Sequence, residues 1–236
     1  MKLGIMQPYF FPYLGYFDLI NCTDRWVVFD TAQYIRHGWV NRNRILHPTK
    51  GWQYVIVPVQ KHSLRTTIEE VCISEASTWR TKIVAQLAHY QKRAPHFKEV
   101  VPLVKECLDQ EESHLSRLNA KILAKVCGYL DLKFNYRFFS EMKLDIPDVN
   151  GPGDWALHIS KALGASEYVN APGGEKIFDR QAFASCGIEL TIRDLPPMAY
   201  ACRGYQYEPN LSVIDALMWN TPEDIKAYLD NNKKSP

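Results

Sequence analysis

The residues with the clearest chemical character lie in one segment that holds many cations and no acid. Between residues 31 and 68 the sequence contains no Asp or Glu. Cations alternate there with aromatic residues: Arg36, His37, Arg42, Arg44, His47, Lys50, Lys61, His62 and Arg65, with Tyr34, Trp39, Trp52 and Tyr54. Cations without nearby counter-ions attract anions, and arginine donates bidentate hydrogen bonds to phosphate or carboxylate. The segment therefore predicts a site for an anionic ligand, and the alternative is a solvated basic surface over an aromatic core.

The densest part of this segment is Trp-Val-Asn-Arg-Asn-Arg-Ile at residues 39–45. In an extended chain Asn41 and Asn43 share one face and Arg42 and Arg44 share the other, because side chains alternate along a strand. Amides hydrogen-bond hydroxyls and carbonyls, and guanidinium groups bind phosphates. A phosphorylated, polyhydroxylated ligand would suit both faces, whereas a surface strand of mixed polar residues needs no ligand. The substrate-binding candidates of the segment are Trp39, Arg42, Arg44 and Lys61.

The second candidate is the aromatic loop of residues 7–16, between the first predicted strand and the first predicted helix. Open parallel sheets bind ligands at the carboxyl ends of their strands, and helix N-termini favour anions. The layout is similar to the first strand, loop and helix of nucleotidylyltransferases with an H-x-G-H motif. Tyr13 and Tyr16 stand where those enzymes carry histidines, so the likeness favours the fold more than the reaction. The substrate-binding candidates here are Gln7, Tyr9, Tyr13, Gly15 and Tyr16.

A third candidate is Asn-Ala-Pro-Gly-Gly-Glu-Lys at residues 170–176, another strand-to-helix turn. Glycines allow a ligand to approach the backbone closely, although the turn lacks the spacing of known nucleotide-binding motifs. A plain turn without a ligand is the alternative. We predict that Asn170, Gly173 and Gly174 bind substrate, and that Gln206 either completes a pocket or packs.

Two acids lie near the predicted carboxyl edge. Asp30 ends a predicted strand and is the better candidate for a general base, whereas Asp18 lies inside a predicted helix and is expected to be solvated. The sequence has no H-E-x-x-H, C-x-x-C, G-x-S-x-G or P-loop motif. The histidines show no ligand spacing, so no metal site is predicted.

The elements that must position these residues read as an α/β protein. Residues 3–7, 13–21 and 26–29 form a β-α-β opening, which is the unit of a parallel sheet. Residues 53–59 are nearly all apolar or aromatic, as expected of a strand covered on both faces. A helical insertion is predicted at about residues 77–130, with Ser77 as a plausible N-cap.

After a Pro/Gly-rich connection at residues 145–153, the third part of the chain alternates strands and helices again, with a strand predicted at residues 188–193. This connection is a possible subdomain boundary, although we expect a single α/β domain over residues 1–236. The predicted fold is an open, mostly parallel sheet whose opening resembles nucleotidylyltransferase-like folds, with the helical insertion added.

Composition excludes several classes of protein. The chain has 236 residues, of which 46% are hydrophobic and 23% charged, as in ordinary globular proteins. Its formal net charge of +2 argues against coating nucleic acid or anionic lipid by bulk electrostatics. No apolar run is long enough for a membrane span, and the six cysteines stand singly. These features predict a cytoplasmic protein.

The residues described above resemble the WbqC-like family of bacterial proteins. The most specific likeness is Met-Gln-Pro-Tyr-Phe-Phe-Pro-Tyr-Leu-Gly-Tyr-Phe-Asp-Leu-Ile at residues 6–20, together with Gly-Trp-Val-Asn-Arg-Asn-Arg-Ile at residues 38–45. Further matches are Phe29-Asp30, Val57-Pro58-Val59, Tyr90 with Ala94-Pro95, Leu163-Gly-Ala165 with Tyr168, and Leu-Ser-Val-Ile-Asp-Ala-Leu at residues 211–217. The resemblance thus spans essentially the whole chain.

This resemblance implies a role in the synthesis of O-antigen, the lipopolysaccharide side chain, or of other surface polysaccharides. For some members it implies a glycine transferase that forms an amide on an amino sugar. The partners would be a nucleotide-linked amino sugar and an activated acyl donor: acyl-CoA, aminoacyl-tRNA, or an amino acid with ATP. Amide formation needs a base and donors for the oxyanion. Asp30 or a histidine such as His37 could be the base, and Asn41 and Asn43 the donors.

Two other functions stay open at this point. A nucleotidyltransferase-like enzyme would use a nucleoside triphosphate and release pyrophosphate. A non-catalytic protein would bind a nucleotide sugar or a biosynthetic partner without turnover.

Overall fold

A central sheet of five parallel strands organises the protein. The computed structural model describes residues 1–75 and 78–233, so the predicted N-cap Ser77 lies outside the described residues. The strands are β1 (Lys2–Met6), β2 (Arg25–Val28), β3 (Arg42–Leu46), β4 (Trp52–Ile56), β5 (Tyr136–Phe138), β6 (Glu167–Asn170) and β7 (Glu189–Ile192). The parallel sheet has the order β5-β2-β1-β6-β7. The predicted α/β fold class with an open parallel sheet is confirmed.

Nine α-helices of the described residues surround this sheet. They are α1 (Leu14–Asn21), α2 (Trp79–Gln86), α3 (Phe97–Leu108), α4 (Leu115–Tyr129), α5 (Phe139–Met142), α6 (Pro152–Ala162), α7 (Arg180–Ser185), α8 (Val213–Trp219) and α9 (Pro222–Lys233). Short 3-10 helices cover Ile68–Glu70, Leu87–Tyr90 and Pro172–Ile177. None of the helices within residues 1–75 and 78–233 is long and apolar enough to cross a membrane.

The strand order places a change of winding direction at the centre of the sheet. From β1 the chain winds outward through β2 to β5, and it then returns to the other side of β1 to form β6 and β7. In this register Leu3 pairs with Arg25 of β2 on one side and with Tyr168 of β6 on the other. The adjacent carboxyl ends of β1 and β6 leave a crevice between them, which is where open α/β sheets bind ligands.

Two hydrophobic clusters cover the two faces of the sheet. The larger one joins α1, the helices α2 to α4 and the C-terminal helices α8 and α9 on the face of Trp26 and Val28. The smaller one packs α6 and α7 against Leu3, Ile5 and Val27. Because side chains alternate along β2, its three apolar residues divide between the clusters.

The strand predicted at residues 53–59 is present but its environment is not the predicted one. It is β4, which pairs antiparallel with β3 in a separate two-stranded hairpin. The burial prediction for this strand was therefore wrong, since Ile56 on β4 is exposed. An apolar and aromatic run does not distinguish a central strand from an exposed hairpin, because aromatic residues also cover guanidinium groups at a surface.

The domain boundaries stay a prediction. Helices α2 to α4, which correspond to the predicted insertion, share the larger hydrophobic cluster with α1 and α8. Residues 143–150 form neither helix nor strand, and Leu144 within them packs against the smaller cluster.

Candidate functional site

A cleft of about 930 Å³ opens at the carboxyl edge of the sheet, at the crevice between β1 and β6. Its walls come from the carboxyl ends of the parallel strands β1, β2, β6 and β7 and from β3 of the hairpin. The aromatic loop after β1 and the turn after β6 complete them. Residues that line it include Gln7, Tyr9, Tyr13, Gly15, Phe29, Trp39, Asn43, Arg44, Trp155, Asn170, Gly173, Gly174, Phe178, Arg193 and Asp194. A cleft of this size and position, lined by both aromatic and polar side chains, is suited to a small organic ligand.

The part of the aromatic loop that precedes α1, residues 7–13, is held in place through its backbone carbonyls. The Tyr16 hydroxyl donates to the Gln7 carbonyl at 2.8 Å, and the buried Asn119 amide donates to the Pro8 carbonyl at 2.8 Å. The same Asn119 amide donates to the Val40 carbonyl at 2.7 Å. The loop is thereby fixed to α1, to α4 and to the start of the hairpin.

A second set of bonds holds the middle of the loop. The Asn43 amide on β3 donates to the carbonyls of Phe10 and Phe11, both at 3.0 Å, and the Ser212 hydroxyl donates to Phe11 at 2.7 Å. Phe11 has a left-handed φ of 39°, which is unfavourable for a residue with a bulky side chain. Such a conformation persists only where surrounding contacts impose it. Asn43 and Ser212 supply those contacts.

Glycine at position 15 allows Tyr13 to line the cleft. A Cβ at Gly15 would lie 2.3 Å from the Tyr13 ring, so any larger residue would displace that ring. Helix α1 begins at Leu14, and its N-cap, Tyr13, makes no side-chain capping bond. Burial, followed by the negative charges of Asp194 and Asp18, raises the pKa of Tyr13. Tyr13 is therefore a neutral hydroxyl beside the uncapped start of the helix.

Charged side chains enter the cleft from two sides. Arg44 of β3 lies between the indole rings of Trp39 and Trp52, with its guanidinium carbon 5.3 and 5.1 Å from their centroids. Arg193 and Asp194 follow the last parallel strand, β7. These three residues are the charged groups among the described residues that line the cleft.

Arg193 is held by a buried ion pair. Its guanidinium donates to both carboxylate oxygens of Asp18 on α1, at 2.5 and 3.0 Å. Burial raises the pKa of Asp18, and the hydrogen bonds from Arg193 oppose this shift. Only 1% of the Asp18 side chain is exposed, so the expectation that Asp18 is solvated was wrong. Its carboxylate orients Arg193 at the edge of the cleft.

Comparison with known proteins identifies the family. The sequence profile of the WbqC-like protein family matches residues 7–227. The chain belongs to the WbqC-like protein family. An uncharacterized protein of Mycobacterium tuberculosis, Rv1507c, is 29% identical over 235 residues, which are 97% of each chain. No solved structure matches the chain significantly. The family resemblance inferred from residues 6–20 and 38–45 is confirmed.

Ten of the substrate-binding or catalytic candidates of this WbqC-like chain meet at the cleft. They are Gln7, Tyr9, Tyr13, Gly15, Trp39, Asn43, Arg44, Asn170, Gly173 and Gly174. They come from three segments that are distant in sequence: the loop after β1, residues 39–44 at the start of β3, and the end of β6 with the turn that follows. These segments meet at the carboxyl edge of the sheet. Their roles stay predictions.

Seven candidates lie outside the cleft lining: Tyr16, Asp30, His37, Asn41, Arg42, Lys61 and Gln206. Tyr16 is only 1% exposed and binds the Gln7 carbonyl, so it positions the loop rather than facing a ligand. Lys61 and Gln206 are exposed elsewhere on the surface. Arg42 donates instead to the His37 carbonyl, and both residues belong to the hairpin side of the protein.

Three of the four catalytic candidates are hydrogen-bonded to other parts of the protein. The buried Asp30 carboxylate accepts from the Ser140 backbone N–H at 3.1 Å and from its hydroxyl at 2.7 Å. Both hydrogen-bonding donors of the Asn43 amide are used by the loop carbonyls, which leaves none for an oxyanion. The Asn41 amide donates to the Val57 carbonyl. Asp30, Asn41 and Asn43 therefore have structural partners.

Sequence reasoning missed Arg193 and Asp194. The signal was available, because residues 188–193 were predicted as a strand, and the residues that follow a parallel strand lie at the carboxyl edge. Described side chains of His, Cys, Asp and Glu form no group of three or more that could hold a metal ion.

Proposed function

We propose that the protein is a transferase of bacterial surface-polysaccharide synthesis that binds a nucleotide-linked amino sugar in the cleft. The observation that carries this proposal is the position of the cleft at the crevice between β1 and β6, with Arg44 and Arg193 on its walls. Arginine binds the oxygens of a diphosphate, and aromatic rings pack against sugar and base. The family resemblance favours the same substrate class.

The proposed reaction forms an amide on the amino group of the sugar. The amine nitrogen attacks the carbonyl carbon of an activated acyl group, the bond to the leaving group breaks, and the amine loses a proton. Asp194 is the carboxylate of the cleft lining, so we assign it the role of accepting that proton. The acyl donor can be acyl-CoA, aminoacyl-tRNA or an amino acid activated by ATP.

The alternative nucleotidyltransferase reaction is less favoured. Its likeness depends on Tyr13 and Tyr16 replacing two ligand-facing histidines. Tyr16 of α1 is buried against Trp26, and its hydroxyl donates to the Gln7 carbonyl. Pyrophosphate release from a nucleoside triphosphate would nevertheless identify this reaction directly.

Thermal shift measurements with UDP- and dTDP-linked sugars test the proposed ligand class. A ligand at about a hundred times its dissociation constant stabilises a protein by about 2.7 kcal/mol. For a domain of this length that corresponds to a rise in Tm of roughly 5–10 °C. Arg44→Gln should abolish most of this rise, whereas Arg65→Gln, an exposed arginine outside the cleft, should retain it. No rise with any nucleotide sugar would overturn the proposal.

Mass spectrometry of the sugar after incubation with each acyl donor tests the transfer. An added acyl group that depends on Asp194, and disappears in Asp194→Asn, supports the proposed role. Binding of the nucleotide sugar without turnover in the presence of every donor would instead identify a non-catalytic binding protein.

A further inference from the structure

The outer face of the β3–β4 hairpin combines arginine with exposed aromatic rings. We define this hairpin face by residues Trp39, Arg42, Arg44, Trp52, Tyr54 and Ile56. Arg42 lies over the Tyr54 ring, with its guanidinium carbon 4.1 Å from the centroid, and Arg44 lies between Trp39 and Trp52. Trp39, Trp52 and Ile56 are 38%, 40% and 45% exposed. Large aromatic surfaces are thus accessible beside fixed positive charges.

Further cations adjoin this face. The segments that carry Arg36, Lys61 and Arg65 meet at Tyr34, whose N–H donates to the Thr66 carbonyl at 2.9 Å and whose ring is 4.9 Å from His62. Arg42 lies beside these cations, because it donates a hydrogen bond to the carbonyl of His37, which follows Arg36. Lys50 is left out of the surface, because Glu208 lies beside the hairpin turn at Gly51.

The positive charge of this surface has no internal partner among the described residues. Eight ion pairs join side chains of residues 1–75 and 78–233, and each of them lies outside the acid-free segment at residues 31–68. Elsewhere on the protein some cations are paired with carboxylates, as in Arg117 with Glu141 and Arg180 with Glu175. The surface is complementary to a polyanion.

We propose that the hairpin face and the adjoining cations bind single-stranded RNA. Phosphates of a flexible strand can contact the separated cations, and unpaired bases stack on exposed aromatic rings. An acidic protein would match the charge, but its carboxylates do not stack on Trp52 and Trp39, whereas each nucleotide carries both a phosphate and a planar base. The whole-chain charge of +2 does not oppose this, since the surface is local.

The surface is continuous with the cleft, so an RNA bound to the hairpin face would extend to the proposed ligand site. Trp39 and Arg44 belong to the hairpin face and also line the cleft. An RNA that runs 5′ to 3′ from Trp52 towards Trp39 would bring its 3′ end to the cleft. This part rests on the proposed function: an acyl group esterified to that 3′ ribose would be the donor. The amine nitrogen would replace the ribose oxygen on the carbonyl carbon, and the amine proton would end on the released ribose hydroxyl.

Fluorescence anisotropy with a labelled 12-nucleotide single-stranded RNA tests the binding in the full-length protein. The triple variant Arg36→Gln/Lys61→Gln/Arg65→Gln should bind at least tenfold more weakly at 100 mM salt. Its log–log salt slope should fall by about 2 units, because each lost phosphate contact removes about 0.7. The matched control Lys92→Gln/Lys98→Gln/Lys133→Gln removes three exposed lysines elsewhere and should bind like the wild type.

Stacking is tested separately from charge. Trp52→Ala should weaken RNA binding by about tenfold, because stacking of one base contributes 1–3 kcal/mol. Poly-L-glutamate, which carries charge without bases, should compete far less well than RNA at equal charge concentration. Equal competition, no RNA binding at low salt, or equal affinity of the two triple variants would overturn the proposal. The nucleotide-sugar measurement contains no RNA, so failure there would leave this result standing and would refute the transferase instead.

Discussion

The cleft and the hairpin face are built on opposite principles, although they share Trp39 and Arg44. In the cleft, polar side chains are satisfied by other parts of the protein: Asn43 holds two loop carbonyls, and Asp18 holds Arg193. On the hairpin face, guanidinium groups lie over aromatic rings and have no carboxylate partner among the described residues. A run of cations in the sequence therefore indicates exposed surface, whereas the residues of the cleft are fixed by buried hydrogen bonds.

This contrast predicts that substitutions at the cleft change stability most. Arg193→Met should lower the free energy of unfolding by about 3–5 kcal/mol, because it leaves the Asp18 carboxylate buried without its partner. Urea denaturation measures this loss, and adding Asp18→Asn should recover much of it. Arg180→Met removes an exposed ion pair with Glu175 and should cost less than about 1 kcal/mol. Equal losses for Arg193 and Arg180 would show that burial of the Asp18 pair adds nothing to its effect on stability.

A buried carboxylate on α8, linked to β3 through Tyr90, should make stability depend on pH. Asp215 accepts from the hydroxyls of Tyr90 and Tyr200, at 2.5 and 2.8 Å, and Tyr90 also accepts from the Leu46 N–H on β3. Burial raises the pKa of Asp215 from 3.8 to about 6, against these hydrogen bonds. Between about pH 4 and 6 the folded state therefore holds a proton that the unfolded state has lost, and stability falls as pH rises.

The size of this effect is about 3 kcal/mol over that range, from about 1.4 kcal/mol per pKa unit. Unfolding measured from pH 4 to 7 should show wild type losing stability relative to Asp215→Asn by about this amount. Tyr200→Phe, which removes one donor to the carboxylate, should shift the transition to higher pH. A constant difference between wild type and Asp215→Asn across the range would contradict the assignment.

Substitutions of Asn43 and Asn41 test whether β3 holds the aromatic loop, because Asn43 binds the loop and Asn41 binds the Val57 carbonyl. Asn43→Ala should cost about 2–3 kcal/mol, because it removes donors from buried carbonyls of Phe10 and Phe11. Asn41→Ala removes one bond from a partly exposed side chain and should cost about 1 kcal/mol. Hydrogen exchange at residues 9–12 should rise in Asn43→Ala and stay unchanged in Asn41→Ala. The reverse order would show that β3 does not hold the loop.

The smallest stability effect is expected on the hairpin face itself. Arg42→Gln removes the cation over the Tyr54 ring, and contacts of this kind at exposed sites contribute about 0.5–1 kcal/mol. Chemical denaturation should therefore place this variant within about 1 kcal/mol of wild type. A loss as large as that of Asn43→Ala would mean that Arg42 is a core residue of the fold.

Much of the framework could be predicted from local patterns. The β-α-β opening, the strand at residues 188–193 and the helical middle of the chain follow from apolar spacing, which is set by which side chains must be buried. Gln7, Asn170 and Gly173 stand at or just after the ends of predicted strands, which correctly indicated the edge of the sheet where the cleft lies. These inferences hold because a parallel sheet brings the carboxyl ends of distant strands to one edge.

Partners that are distant in sequence could not be predicted. Asp18 and Arg193 are separated by 175 residues, and Asn119 is 111 residues from Pro8, so no local pattern connects them. The same holds for the hairpin, where an apolar run was consistent with either a central strand or an exposed one.

By itself, the sequence determined the family, the fold class and the presence of a strongly cationic segment, because these depend on local composition and order. The tertiary structure decided which of those cations meets the cleft. Of Arg36, Arg42, Arg44, Lys50, Lys61 and Arg65, the cleft lining includes Arg44. The physical reason is that β3 and β4 pair with each other rather than with the central sheet, so only the start of the hairpin reaches the strand ends. Arg36, Lys50, Lys61 and Arg65 lie on exposed segments outside both strands.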